Sequence, residues 1–599
     1  MSAAPNFSNS GAAVANALAD ALAHQAAARY DAAAVVLRQV LALAPKHSEA
    51  MSRLGWVLNE AGYVDEAIAT HRETVAAHPN LAHAWSNFAV ALQGIGEQDE
   101  ALQALLRAVA LDPTLPEAQV NLGLQWQLRG RVVDAVGCFQ QAIARQPVLV
   151  EAWINLALSL QSAREVDLAL AALGQALALQ ADNASAWSNT LMTLQYSTIP
   201  TLDVLRQRAQ AAAKSIVATT PQDSVAPLPA TARVGVDRRL RVGYVTADFY
   251  AHPIGWMAVP TILAHDRSNI EVHCFADVYV DDDITAKMRE GVEHWHDVRT
   301  LGHATLLALV ANIGIDVLID LSGHTAHNRL PVFAARAAPV QLSWLGYAAS
   351  TGLDTIDGVL LGDAMAPPGA QDAFVEPLRK LPRCHFTYQP PSYAPAIAEC
   401  PESTRGYVTF GSFNNPAKAG EDVFAAWAAI LSRTPNSRLV LKWRSLADAA
   451  VRAHIERAFA LHGIDSTRLD LREASPHPTM LAEYGDIDIA LDPFPFCGGL
   501  TSCEALWMGV PVVTLPWLRP MSRQGLALLN TIGLESLVAT TPRHYIDIAT
   551  ALAADHAGRK ELRATLRARM QASPLFDADG LARALESQYL SSSLEHQAQ

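Results

Sequence analysis

The sequence predicts two kinds of architecture in one chain: an α-α superhelix of paired-helix repeats, then an α/β region with two doubly wound parallel-sheet domains. Three observations carry this reading. Residues 34 apart match one another through the first two hundred positions, the pattern changes at about residue 238, and two series of short apolar runs then alternate with helical segments. The expected segments are a flexible N-terminus over residues 1–13, the superhelix over 14–196 and a mixed helical linker rich in Ala, Thr and Pro over 197–237. One sheet domain follows over 238–395, a second over 396–590, and a flexible tail over 591–599.

Within the repeats, Trp85, Gln119, Trp153 and Trp187 stand in phase as anchors. Ala67, Ala101, Ala135 and Ala169 are the small residues that let paired helices approach, and Pro45, Pro79, Pro113 and Pro147 close the second helices. Gly62, Gly96 and Gly130 fall at the turn within each pair, where a positive φ is commonly needed. This spacing resembles tetratricopeptide repeats over residues 14–194, as five repeats with a closing half-repeat from Ala184. The first is the least regular, as expected of a cap. Asn87, Asn121, Asn155 and Asn189 recur two residues after each anchor. At about 100° per residue they lie on the face turned away from the partner helix. A solvated face gives no reason to repeat a mediocre helix former four times. The ladder is therefore expected to hold the backbone N–H and C=O groups of an extended peptide.

Composition narrows the function. At 599 residues the chain exceeds one hydrophobic core, and 50% hydrophobic with 17% charged residues suits packed domains rather than disorder. A formal net charge of −14 disfavours nucleic acid and anionic membranes as partners. The six cysteines form no CxxC pair, which predicts neither a zinc ribbon nor a disulfide framework and fits a reducing compartment. No secretory n-region with an apolar core is present and no apolar run is long enough for a bilayer, so a cytoplasmic protein is expected.

The first strand series comprises residues 239–245, 270–275, 315–321, 340–345 and 358–362; the second comprises 407–410, 439–443, 469–471, 487–491 and 511–515. Ligands of such sheets bind outside the carboxyl ends of the strands, which places chemistry in the cleft between the two domains. The segment 492–511 reads as a strand end, a glycine turn and a helix start. Gly498 and Gly499 let backbone approach a ligand, and Thr501 and Ser502 add hydroxyls beside the unpaired N–H groups of the new helix, a metal-free anion site. Such a turn also occurs as a purely structural feature. Glu504, expected in the first helical turn, is placed to accept ribose hydroxyls or to complement the helix dipole. Lys418 closes the first strand of the second domain, where an ammonium neutralises a departing diphosphate, and Asn415 is expected to orient the same group; the alternative is a solvated lysine after a turn. His252, after the first strand of the first domain, faces the cleft, and His324 is a weaker candidate of the same kind.

In this order and combination the residues resemble the protein O-linked N-acetylglucosamine transferases, the family that includes the SPINDLY proteins, over essentially the whole chain. The resemblance rests on the repeats with their asparagine ladder, on Arg241-Val242-Gly243-Tyr244-Val245 with Asp248-Phe249 and His252-Pro253, on residues 341–347, on 413–418 and on 499–511. It implies a GT-B glycosyltransferase fold and an inverting, metal-independent transfer from a UDP-sugar to Ser or Thr of proteins held in the repeat groove, with no cofactor. UDP-N-acetylglucosamine (UDP-GlcNAc) is the first choice of donor; family members also use fucose or glucose donors. By the same resemblance His252 lies beside the reacting centre, Lys418 on the diphosphate, Thr501 and Ser502 on its oxygens and Glu504 on the ribose. Where animal members place a histidine beneath the uracil, this chain has Met480, with His477 three residues earlier. Gly499-Leu500 also departs from the more polar Gly-His-Thr order.

Two rivals remain to be weighed. Asp281-Asp282-Asp283, with Asp277, suggests the metal-binding acidic motif of the other large transferase fold, but it falls in the first domain, away from the Thr501 helix. The second rival is a repeat-based adaptor with a non-catalytic nucleotide-binding half. Against it stand Lys418, His252 and the Thr501-Ser502 pair, all present.

Overall fold

The computed structural model describes residues 7–220 and 238–598. The chain divides into two compact units, Met1–Ser159 and Leu160–Gln599.

The first unit is built from antiparallel helix pairs: Phe7–Ala26 with Tyr30–Leu43, Ser48–Glu60 with Val64–Ala77, Ala82–Gly94 with Gln98–Leu111, and Pro116–Leu128 with Val132–Arg145. Ala67, Ala101 and Ala135 are fully buried where paired helices meet, as the period requires. Gly62, Gly96 and Gly130 take φ of +85°, +83° and +70°. The anchors share one hydrogen bond. Trp85 Nε1 donates to the Pro79 carbonyl at 3.0 Å and Trp153 Nε1 to the Pro147 carbonyl at 2.9 Å. Gln119, which breaks the tryptophan series, sends its Nε2 to the Pro113 carbonyl at 2.9 Å. The side-chain N–H is thus what the three positions have in common, and an amide substitutes for an indole because both reach the carbonyl six residues back.

The second unit begins with the last repeat and its half-repeat, Val166–Leu179 and Ala184–Leu194, where Trp187 Nε1 makes the same bond to the Ala181 carbonyl at 2.9 Å. The stretch expected as a linker contains the helix Leu202–Thr219, whose Leu205, Ala209, Ala212 and Ile216 are buried at helical spacing. Alanine-rich composition concealed that apolar stripe. Residues 221–237 lie outside the described residues.

Two parallel sheets follow. The first has seven strands: β1 (Leu240–Thr246), β2 (Ile270–Ala276), β3 (His294–Asp297), β4 (Val317–Asp320), β5 (Val340–Trp344), β6 (Gly358–Gly362) and β7 (Leu378–Leu381), in the order β3-β2-β1-β4-β5-β6-β7. The second has five: β8 (Val408–Ser412), β9 (Ser437–Lys442), β10 (Leu469–Arg472), β11 (Ile489–Leu491) and β12 (Val512–Val513), in the order β10-β9-β8-β11-β12. Inner strands are apolar along their length because helices cover both faces. β3 and β7 were not anticipated: both are short edge strands, and His-Trp-His-Asp and Leu-Arg-Lys-Leu carry too little apolar signal. In each sheet the strand order reverses beside the first strand, between β1 and β4 and between β8 and β11, so a ligand crevice opens at those carboxyl ends.

The chain end corrects the expected boundaries. One helix, Ala578–Ala598, occupies the segment expected to finish the second sheet domain and trail off as a flexible tail. Leu581, Leu585 and Tyr589 enter the core of the first sheet with Tyr244 and Trp344, the Tyr589 hydroxyl lies 3.0 Å from that of Tyr244, and Ser592 and Ser593 are buried. At the other end, the helix beginning at Phe7 runs through the expected flexible N-terminus.

Because the Gln119 amide replaces the indole bond, Gln119→Leu should destabilise the chain by about 1 kcal/mol. Urea denaturation checks this, and an unchanged midpoint would show that the amide's bonds to Pro113 and to Gln141 together contribute nothing.

Candidate active site

The glycine turn is built around one buried carboxylate. Asp492, at the exit of β11, accepts the Gly498 N–H at 2.6 Å and the Thr514 hydroxyl at 2.7 Å. Burial pushes Asp492 up to about 6, while those bonds and the Lys418 charge pull the other way. The loop so closed starts the helix Leu500–Trp507 at Gly499. A Cβ on Gly498 would stand 2.5 Å from Ser502 Oγ and 2.7 Å from Thr501 Oγ1, so glycine is what lets both hydroxyls gather at the turn. The N–H groups of Ser502 and Cys503 return to the Gly499 carbonyl at 3.2 and 3.1 Å, leaving the positive helix end facing the cleft.

Lys418 reaches this turn from β8. Its Nζ donates to the Cys497 carbonyl at 3.0 Å, lies 3.5 Å from Asn414 Oδ1 and sits 4.2 Å above the Phe496 ring. Burial lowers its pKa, opposed by Cys497 and Asp492. Asn414 Oδ1 also accepts the Thr501 hydroxyl at 3.1 Å, tying Lys418 to the helix start. Asn414, which the sequence reading did not single out, thus joins its expected neighbour Asn415 beside Lys418. Asn415 Oδ1 accepts the Ala417 N–H at 3.1 Å and so caps the turn Pro416–Lys418, while its neighbour faces the site.

The expected first-turn position of Glu504 is corrected. It is the fifth residue of its helix, past the first turn, and it is buried. It meets His477 Nε2 at 2.8 Å instead of complementing the dipole, and burial raises its pKa while His477 opposes the shift. His477 Nδ1 lies 2.7 Å from the Tyr393 hydroxyl, and its ring is 6.1 Å from Trp256 of the first sheet domain. Met480 follows in the same helix, half-buried. Tyr393 and Trp256 lay in segments without motif character, and nothing in the sequence paired them with His477.

His252 caps the helix Pro253–Leu263 at the exit of β1, its Nδ1 accepting the Ile254 N–H at 3.4 Å with Asp248 Oδ1 at 3.7 Å. Burial pushes His252 down to about 4 and Asp248 up to about 6. The imidazole is therefore neutral near pH 7, with Nε2 as its remaining nitrogen. The same helix spans the cleft: Met257 Cε would stand 3.9 Å from a Cβ on Gly499. His252 belongs to the first sheet domain and Lys418 to the second.

Other candidates fare differently. His324 is buried, with Nδ1 3.0 Å from Ser188 Oγ, which ties the half-repeat to the first sheet domain, and Nε2 2.9 Å from the Thr351 carbonyl within that domain. Asp282 caps the helix Asp283–Gly291, Asp281 pairs with Arg289 and Asp277 with Arg329. The described residues contain one group with metal-ligating geometry, Glu271 with His273 and His294, at the β2–β3 edge. Both imidazoles already bond Glu271 Oε1, at 3.2 and 3.1 Å, and Arg239 and Arg241 flank its other oxygen. The four ladder asparagines are all half-exposed, and Asn87, Asn121 and Asn189 each stand between buried neighbours. Asn87 borders a cavity of about 430 Å³ with Gln25, Trp56 and His83, while Asn189 Nδ2 bonds the Ser185 carbonyl of its own helix at 2.9 Å.

The sequence matches glycosyl transferase family 41 over residues 226–391 and 400–585. The chain belongs to glycosyl transferase family 41. Tetratricopeptide-repeat families match residues 24–87, 82–115 and 129–186. A probable UDP-N-acetylglucosamine–peptide N-acetylglucosaminyltransferase SPINDLY of Oryza sativa subsp. japonica is 37% identical over 359 residues, 59% of this chain and 39% of that protein. A protein of the same description, SEC of Arabidopsis thaliana, is 28% identical over 66% of this chain and 41% of its own length. The chain thus spans about two fifths of these relatives. A mutant O-GlcNAc transferase of Thermobaculum terrenum superposes with a TM-score of 0.78 at 33% identity, covering 86% of this chain and 98% of that one. Over that share of its length the family 41 chain therefore has the fold of a solved structure, repeats and paired parallel sheets in the GT-B manner.

The His252 titration is directly measurable. Its folded-state value of about 4 lies below the unfolded 6.5, so this group's contribution to stability is full above pH 6.5 and is lost as pH falls towards 4. Imidazole NMR should give a midpoint near 4; one near 6.5 would show an open, solvated ring.

Proposed function

We propose that this family 41 chain is an inverting protein O-glycosyltransferase, moving N-acetylglucosamine from UDP-GlcNAc to Ser or Thr of proteins held along the repeat groove. The observation that carries the reading is the Lys418 ammonium fixed on the Cys497 carbonyl beside the Thr501 helix start. Two preorganised positive features converge there on one volume, and a departing diphosphate is the group in this chemistry that develops charge. The names of the rice and Arabidopsis relatives and of the Thermobaculum structure support the donor and the protein acceptor. No cofactor or metal is assigned a role; Lys418 and the helix end do what a bridging cation does in other transferases.

In the proposed reaction the acceptor oxygen attacks the anomeric carbon from the face opposite the diphosphate. The bond to the β-phosphate oxygen breaks, its electron pair leaves with UDP, and Lys418 with the Leu500–Trp507 helix start stabilises that charge. His252, neutral at physiological pH, orients the acceptor hydroxyl or takes its proton through Nε2. The Tyr393–His477–Glu504 chain, beside Met480 and against Trp256, forms a rigid wall for the nucleoside. The asparagine ladder of Asn87, Asn121, Asn155 and Asn189 holds acceptor backbone. All six cysteines are buried free thiols, and among the described residues no helix is long and apolar enough to cross a membrane; a cytoplasmic setting is proposed on these grounds.

The test is labelling of lysate proteins with radiolabelled UDP-GlcNAc, with fucose and glucose donors in parallel. The intact chain should label protein from UDP-GlcNAc, and Lys418→Ala should cut turnover by about 10²- to 10³-fold. Labelling from another donor would reassign the sugar, and none from any donor would favour the adaptor reading.

A further inference from the structure

The turn position filled by Gly62, Gly96 and Gly130 is filled by Ala28 in the first pair and by Arg164 in the last, with φ of +52° and +73°. Left-handed backbone disfavours any side chain, so a long cationic one there needs a reason. Arg164 does not extend into solvent. Its side chain is 5% exposed, and Nε and Nη2 both donate to the Ala419 carbonyl, at 3.1 and 2.8 Å. The guanidinium lies 3.9 Å over the Phe424 ring, with Glu421 at 3.8 Å, while Nη1 is buried without a hydrogen-bond partner among the described residues.

Ala419 is the residue after Lys418, and it forms a bridge to Pro495, two residues before the Cys497 carbonyl that Lys418 grips. A second contact comes from the end of the half-repeat. The Tyr196 ring meets Phe496 edge-on at 5.2 Å, the ring beneath the Lys418 ammonium. The last repeat and the half-repeat after it therefore both reach the surroundings of Lys418, at Ala419 and at Phe496.

We infer that Arg164 is a positioning residue for Lys418: by clamping the Ala419 carbonyl, the last repeat sets where the ammonium stands in the diphosphate site. The repeats then complete the catalytic site as well as gather acceptors. The kinetic part of this inference rests on the proposed sugar transfer. A backbone carbonyl is a fixed target, and the two-pronged guanidinium matches it in a way an ammonium does not.

The decisive variant is Arg164→Gly in the full chain, because it restores the residue that the three middle turns use while deleting the clamp. It should melt at or above the wild-type temperature, keep KM for an acceptor peptide and lose roughly ten- to a hundredfold in kcat. Amide hydrogen exchange over residues 417–421 should accelerate. Arg164→Lys should recover only part of kcat. A wild-type kcat with unchanged exchange in Arg164→Gly would overturn the inference. Should Arg164→Gly melt lower, Arg164→Lys decides by the same readouts: slowed turnover with faster exchange supports the clamp, and wild-type behaviour refutes it. If the wild-type chain transfers no sugar, the functional reading fails, and exchange alone judges Arg164.

Discussion

Asp492 leaves β11 with both carboxylate oxygens occupied in a buried setting, one by the Gly498 N–H and the other by the Thr514 hydroxyl. A buried carboxylate is costly unless donors surround it, and hydrogen bonds to a charged group contribute about 1.5–3 kcal/mol. Meeting that requirement forces the chain to fold back after Pro495, which sets the Cys497 carbonyl, the Gly499 helix start and the two hydroxyls in one place. Everything on the second wall follows from this closure. Lys418 has a carbonyl to grip because the loop presents it, and Asn414 has a hydroxyl to accept because Thr501 opens the helix.

The first wall follows a different logic. The helix after β1 carries His252 at its cap, Trp256 against His477 and Met257 beside Gly499, so one rigid element spans the cleft. Burial keeps His252 neutral and Asp248 protonated to about pH 6. The cleft thus sets the Lys418 ammonium against a wall that adds no second cation, an asymmetry suited to a reaction whose charge grows only on the leaving group.

The sequence disclosed these features unevenly. Periodicity identified the repeats because packing repeats itself: Ala67, Ala101 and Ala135 are fully buried for one reason. Residues at strand ends were readable as well, since each sheet reverses its strand order beside its first strand, and His252 lies past the exit of β1 while Lys418 and the glycine turn lie past those of β8 and β11. Choices between neighbours were not readable. Asn414 and Asn415 differ only in which side of a turn they face, and Glu504 missed the first turn by a single residue. Long-range partners were invisible for the same reason: Tyr393 and Arg164 act across 84 and 255 positions, on atoms that no local pattern names. The final helix was misplaced because amphipathic spacing says that a helix packs, not on which sheet.

The central claim is that protein groups alone, Lys418 and the Thr501 helix start, receive the diphosphate. Titration calorimetry of UDP into the full chain, in EDTA and then in excess Mg²⁺, tests it most directly. Binding is expected in EDTA, with an affinity that Mg²⁺ leaves unchanged. Binding that appears only when the divalent cation is supplied would contradict it.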